Sequence, residues 1–291
     1  MDRVAAEELV EVGNRHADAH RVHEAESCYR AAIQADRSWS VPWYDLGLLC
    51  KYQGRWLESF ECNHEAAALA PDDVAAWWNL GIAATALGEW ADARRAWQAC
   101  GLVVPPGEGP LDLNYGWVPV RLDPQGAGEV VWARRLDLTR ARILSVPLPT
   151  SSFRWHDIVL CDGAPEGYRQ LRDETVPVFN VLARLEPSPY RTFVVELGTN
   201  NPDAIEALSR VADESGGAAE HWASSTNHLC RQCSLGIPHT HVEQSRNPAH
   251  LHCGVAARDR SHLERILNRW FTASPAADLV RWRPAPGGGG A

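Results

Sequence analysis

Residues 43–71 read WYDLGLLCKYQGRWLESFECNHEAAALAP, and residues 77–105 read WWNLGIAATALGEWADARRAWQACGLVVP. Laid over one another they agree at Trp43 and Trp77, Gly47 and Gly81, Gly54 and Gly88, Trp56 and Trp90, and Pro71 and Pro105, each pair 34 positions apart. Gly13 carries the series one step towards the N-terminus. A fixed period of this length marks a unit that cannot bury its apolar face alone and gains a core by stacking on its neighbours. The small residues Gly47, Gly81, Ala66 and Ala93 let two helices approach closely, and Trp43, Leu46, Trp56, Trp77, Leu80, Trp90 and Trp97 fill the space between them. Pro71 and Pro105 are expected to stop the second helix of their units. The tryptophans therefore read as packing residues.

This period and residue set resemble the tetratricopeptide repeat (TPR), a helix–turn–helix unit, over residues 5–105. The first repeat, LVEVGNRHADAHRVHEAESCYRAAIQAD, keeps Gly13, Ala25, Tyr29 and Ala32 but lacks the tryptophan, the second glycine and the closing proline, as a terminal repeat does. The resemblance implies that the first helix of each repeat lines a concave face. That places Val10, Asn14, Tyr44, Leu48, Lys51, Tyr52, Trp78, Ile82 and Thr85 there. Such a groove is apolar and aromatic and suits a short peptide with apolar anchors. The TPR subfamily that grips the C-terminal carboxylate of chaperones needs several Lys, Arg and Asn. Here only Lys51 and Asn14 are candidates, with Asp45 nearby, so a different partner is expected. The alternative occupant of the groove is the rest of this chain.

Composition narrows the function classes. The chain has 291 residues, 45% hydrophobic and 22% charged, which fits a globular chain of two or three domains. No apolar run approaches the ~20 residues that span a bilayer. The N-terminus is acidic and helical in pattern without the apolar region of a signal peptide, so a cytoplasmic location is expected. In that compartment the eight cysteines read as thiols, with Cys28, Cys50, Cys62 and Cys100 as small buried apolar residues. The net charge is −9, and residues 1–105 hold 9 Lys and Arg against 16 Asp and Glu. With no basic stripe, nucleic acid and anionic membrane are poor partners.

After Pro105 the helical period stops. PPGEGPLD reads as a linker, and WVPVRL, EVVWARRL, ARILSVPL and HDIVLCDG as strands separated by Gly, Pro and Asp. VPVFNVLARL is compatible with either a strand or a short helix. Glu129, Trp132, Ile143, Val146, Pro147 and Asp157 resemble the E-x-x-W, I-x-x-V-P-L and D-x-V elements of a functionally uncharacterised bacterial domain family, with His156 in place of its usual glycine. That resemblance implies a small barrel-like sheet and no activity. Asp157, in a turn before a strand, reads as a turn former before it reads as a catalytic acid.

From Thr192 the order is β-α-β-β-α-β, that of a ferredoxin-like split βαβ sandwich. The connection between its central strands contains CRQCSLGIPHTHVEQSRNPAHLHC, residues 230–253. Cys230 and Cys233 have the C-x-x-C spacing that lets two thiolates reach one ion, and His239 and His241 follow closely. A tetrahedral zinc that pins this connection is the natural account, with His250 and His252 as other candidate ligands. Alternation in HLHCGVAA puts Cys253 on the core face and makes it a buried apolar residue. The deaminase signature H-x-E followed by P-C-x-x-C is present only in the wrong order and without the proline.

The expectation is an α+β multidomain chain: three TPR-like repeats over 1–105, a small β-rich domain over 106–190, a ferredoxin-like unit over 191–284 and a disordered tail over 285–291. The expected function is a non-enzymatic protein–protein interaction or adaptor role with a structural zinc. The alternative is a zinc-dependent enzyme, hydrolase or deaminase-like, with the Cys/His segment as its active site.

Overall fold

The computed structural model describes residues 2–126, 128–171, 174–198, 201–222, 251–275 and 277–285. The chain divides into two compact units, Met1–Asp112 and Leu113–Ala291. Eight helices, one closed barrel and one four-stranded sheet occur among the described residues, so the chain is mixed α+β. None of these helices is long and apolar enough to cross a membrane.

In the first unit α1 (Arg3–Asp18) packs on α2 (Val22–Ala35), α3 (Ser40–Tyr52) on α4 (Trp56–Leu69) and α5 (Val74–Leu87) on α6 (Trp90–Ala99). Each pair is one 34-residue period. The first helices form their own row, with α3 touching both α1 and α5. The recurring glycine explains the close pairing. A Cβ on Gly13 would stand 2.6 Å from Tyr29, one on Gly47 2.5 Å from Asn63, and one on Gly81 2.5 Å from Trp97. A large side chain of the second helix thus lies directly on the backbone of the first. In the middle repeat that side chain is polar: buried Asn63 donates to the Ser59 carbonyl at 2.7 Å, and Ser59 Oγ donates to the Gly47 carbonyl at 2.8 Å.

The helix ends follow local chemistry. Asp2 and Asp73 accept main-chain N–H groups as N-caps of α1 and α5. Gly88 closes α5 with φ 77, a left-handed cap. Pro71 lies just past α4, as expected, but α6 ends at Ala99 and turns through Gly101, φ 80, well before Pro105. Burial pushes the Cys50 thiol up to about 11 and the Cys62 thiol up to about 12, whereas Cys28 and Cys100 are only half-buried.

In the second unit β1 (Trp117–Arg121), β2 (Val130–Arg135), β3 (Arg140–Ile143), β4 (Ile158–Leu171) and β5 (Glu174–Glu186) form the barrel in sequence order. Neighbours are antiparallel except for the closing pair, β1 with β5, which is parallel at Val120–Phe179 and Arg121–Asn180. Val120, Leu122, Ile143, Val159, Phe179 and Val181 fill its core. Two details depart from the sequence reading. ARILSVPL is a strand only as far as Ile143. β4 runs on past HDIVLCDG to Leu171, because register shifts around Cys161, Pro165 and Tyr168 absorb the Gly and Pro that read as breaks. VPVFNVLARL is strand β5.

The C-terminal sheet contains β6 (Arg191–Leu197), β7 (Ala218–His221), β8 (Leu251–Ala257) and β9 (Leu279–Pro284), in the order β7-β8-β6-β9 with every neighbouring pair antiparallel. The helices α7 (Pro202–Glu214) and α8 (Arg260–Ala273) cover one face, where Leu208, Val211, Leu263, Ile266 and Trp270 meet Phe193, Val195, Cys253 and Val255. Asn201 caps α7 as its sequence suggests, accepting from Asp203 N–H at 3.0 Å. The opposite face is not left to water. Val194, Ala256 and Trp222 pack there with Val146 and Trp155 from the barrel side.

Candidate functional site

The row α1, α3 and α5 brings the predicted groove residues onto neighbouring helices, with very different exposures. Tyr44, Leu48 and Tyr52 follow one another at four-residue spacing and form a stripe along α3. Tyr52 is 63% exposed, whereas Tyr44 and Leu48 are half-buried. Asn14 is exposed, and its Oδ1 accepts the Tyr29 hydroxyl at 2.8 Å. Trp78 is half-buried and meets Trp97 edge-on at 5.1 Å. The other four are closed in. Val10 packs with Ala6 and Ala32. Ile82 is fully buried, and Thr85 bonds back to the Gly81 carbonyl at 2.8 Å. Lys51 is 4% exposed, donates to Asn79 Oδ1 at 3.1 Å and sits 4.5 Å over the Tyr52 ring. A lysine so placed is turned into the row and not presented to a ligand.

The sequence reading misses Asn79 in this row and names Asp45 only as a neighbour of Lys51 and Asn14. Asp45 is half-buried, and burial pushes its carboxyl up to about 6. Burial also lifts the Tyr29 hydroxyl to about 12, with Asp45 and Asp18 adding to it, so these carboxylates lie near Tyr29. Asn79 is the acceptor that fixes Lys51. The signal was available, because Asp45 and Asn79 are themselves 34 residues apart.

In the second unit, Asp157 is a loop fastener. Its Oδ2 accepts Arg154 N–H at 2.8 Å, and its Oδ1 accepts Ser188 N–H at 2.7 Å. His156 takes a left-handed φ of 70 and stacks on Trp155 at 3.5 Å. Glu129 and Glu220 approach the same short segment, accepting the N–H of Leu148 at 2.9 Å and of Val146 at 2.7 Å. Glu129, Val146 and Asp157, grouped in the sequence by the second resemblance, thus serve the joint between barrel and sheet.

Cys230, Cys233, His239 and His241, expected from the sequence as zinc ligands, and the further candidate His250 lie outside the described residues. Among the described residues no group of three His, Cys, Asp or Glu is placed to hold a metal ion. Cys253 is buried in the helix-facing core, as alternation along β8 requires, and burial pushes its thiol up to about 12. His252 points to the other face, with its Nε2 3.8 Å from Glu196 Oε2; Arg281 Nε donates to that same oxygen at 2.5 Å.

No family model matches this sequence, and no curated protein matches it. Solved structures are similar to its helical part. The first TPR of Spaghetti (RPAP3), bound to an HSP90 peptide, is 22% identical and covers 34% of this chain and 79% of its own, with a TM-score of 0.33. The TPR2B-domain:pHsp70 complex of yeast Sti1 is 18% identical over 33% of this chain and 78% of its own, with a TM-score of 0.32. The Arabidopsis OM64 TPR domain is 16% identical over 34% of this chain and 81% of its own, also with a TM-score of 0.32. With three stacked helical hairpins on a 34-residue period, the first unit of this chain has the fold of a tetratricopeptide repeat array.

Proposed function

We propose that this chain is a non-enzymatic interaction protein whose helical unit holds an apolar peptide segment of a partner on the row α1, α3 and α5. One observation carries this reading: the Tyr44–Leu48–Tyr52 stripe leaves aromatic and aliphatic surface open on a rigid helix, with exposed Asn14 on the neighbouring helix. Val10, Ile82 and Thr85 then serve as the floor of the site. Lys51 supports Tyr52 from below and makes no direct contact with the peptide. The single lysine is engaged with Asn79, so a grip on a terminal carboxylate is not the reading supported here. Affinity purification with the wild-type chain and with Tyr52→Ala tests it. Partners lost by Tyr52→Ala at unchanged melting temperature support it. Partners fully retained by Tyr52→Ala and by the double variant Tyr44→Ala, Trp78→Ala sink it.

For the rest of the chain we propose a β-rich part over 106–190 and a ferredoxin-like part over 191–284, the latter supported by the antiparallel strand order β7-β8-β6-β9. Cys230, Cys233, His239 and His241 are proposed as ligands of a structural zinc on their spacing alone.

A further inference from the structure

A second surface of the helical unit has its own chemistry. A cleft of about 470 Å³ opens between α4 and α6, with Trp43 of α3 and Phe60 of α4 as its aromatic walls. Both rings are half-buried, and Phe60 is stacked with His64 at 6.1 Å, which holds its face in one orientation. His64 itself, with Glu61 and Glu65 of α4 and Asp92 and Arg95 of α6, completes the lining.

The charges in this cleft do not balance. Arg95 Nη2 is paired with Asp92 Oδ1 at 2.6 Å within its own helix. Glu61 and Glu65 have no ion-pair partner among the described residues. They stand one helical turn apart on the same face, where like charges repel. The cleft therefore offers two exposed, mutually repelling carboxylates beside two aromatic faces. A guanidinium satisfies both features: its planar cation stacks on an aromatic ring, its forked N–H groups bond carboxylates, and its apolar stem covers the remaining ring surface. An ammonium satisfies the charge but stacks less well, and a carboxylate ligand would be repelled.

We propose that the cleft between α4 and α6 is a docking site for an arginine-bearing segment of a partner protein, with the guanidinium against Trp43 and Phe60 and held by Glu61 and Glu65. The site takes Trp43 from α3 and its other residues from α4 and α6; none of them belongs to the Tyr44–Leu48–Tyr52 stripe, and the site does not depend on the reading of that stripe.

The test uses the full ¹⁵N-labelled chain, the peptide acetyl-Gly-Leu-Arg-Leu-Gly-amide, and the same peptide with neutral citrulline in place of arginine. The arginine peptide is expected to shift the Trp43 indole N–H and the amides of residues 60–65, with a dissociation constant on the order of millimolar. Citrulline, or the double variant Glu61→Gln, Glu65→Gln, is expected to weaken binding about tenfold. These two side chains are exposed, so the variant is expected to fold; an unchanged thermal transition checks this. Equal binding of both peptides, shifts confined to other parts of the chain, or affinity unchanged in the double variant would each overturn the proposal.

Discussion

The indole N–H of Trp222 donates to the carbonyl of Val146 at 2.9 Å, across 76 positions of sequence. The N–H of the same Val146 donates to Glu220 Oε2 at 2.7 Å. One residue of the segment after β3 is thus gripped at both its peptide groups by the end of β7, and the second face of the C-terminal sheet is closed. Trp222→Phe keeps most of the ring but leaves the buried carbonyl without its donor, and should cost about 1–2 kcal/mol. Trp222→Ala also opens a cavity and should cost about 3–5 kcal/mol. Urea unfolding followed by circular dichroism measures both. Equal costs would mean that the ring contributes nothing beyond its hydrogen bond.

The glycine series sets helix spacing, so adding a methyl group there should be costly. Gly81→Ala drives a Cβ to 2.5 Å from Trp97, a ring that is 1% exposed and has nowhere to retreat. A loss of about 1–3 kcal/mol is expected, net of the better helix propensity of alanine. At Gly47 the obstacle is the smaller Asn63 amide, and the loss comes from breaking its bonds to Ser59. Thermal melts of the two variants should both fall below wild type.

Acidity of Glu129 makes stability depend on pH. Burial raises its carboxyl, the Leu148 N–H opposes this and the Glu220 carboxylate adds to it, for a value of about 7 against an ordinary 4.5. Below 4.5 folded and unfolded chains both hold the proton. Between 4.5 and 7 the unfolded chain has released it while the folded chain keeps it, so stability falls as pH rises. Above that window the loss is complete. Glu129→Gln keeps an acceptor for Leu148 and removes the charge. It should gain roughly 2–3 kcal/mol at pH 8 and almost nothing at pH 4, read from urea midpoints at the two pH values.

Tyr52 separates binding from folding. Its ring is largely exposed, so Tyr52→Ala should change stability by no more than about 0.5 kcal/mol. A partner held on the stripe should nevertheless lose about tenfold or more in affinity, as aromatic anchors do. Calorimetric titration with a captured partner measures the second effect and a thermal melt the first.

Metal content tests the Cys/His segment directly. The purified chain is expected to contain about one zinc ion, and the double variant Cys230→Ser, Cys233→Ser none. Chelation should lower the melting temperature of the wild-type chain and leave that of the variant unchanged. A variant that keeps its zinc excludes these two thiolates as the ligands.

The helical array was legible because its information is local and repeated. Gly13, Gly47 and Gly81 each meet a partner 16 residues later, inside the same hairpin, so a single sequence displays the contact three times over. The succession of strands and helices in the C-terminal part was legible, and the burial of Cys253 from simple alternation along β8. The extent of β4 was not legible, since glycine and proline read as breaks while register shifts let the strand pass through them. Nor was the fate of Lys51, which spacing places with Tyr44 and Tyr52 but which a bond to Asn79 on the next repeat withdraws from the surface. What the amino-acid order determined by itself is the period, and with it the pairing of helices, because each glycine answers a neighbour close along the chain. What only the tertiary structure decided is which groove residues remain open, how the barrel closes through Val120 and Phe179, and how Val146 is held from Trp222 and Glu220. Those contacts join positions 59 to 76 residues apart, and no local pattern of polarity encodes them.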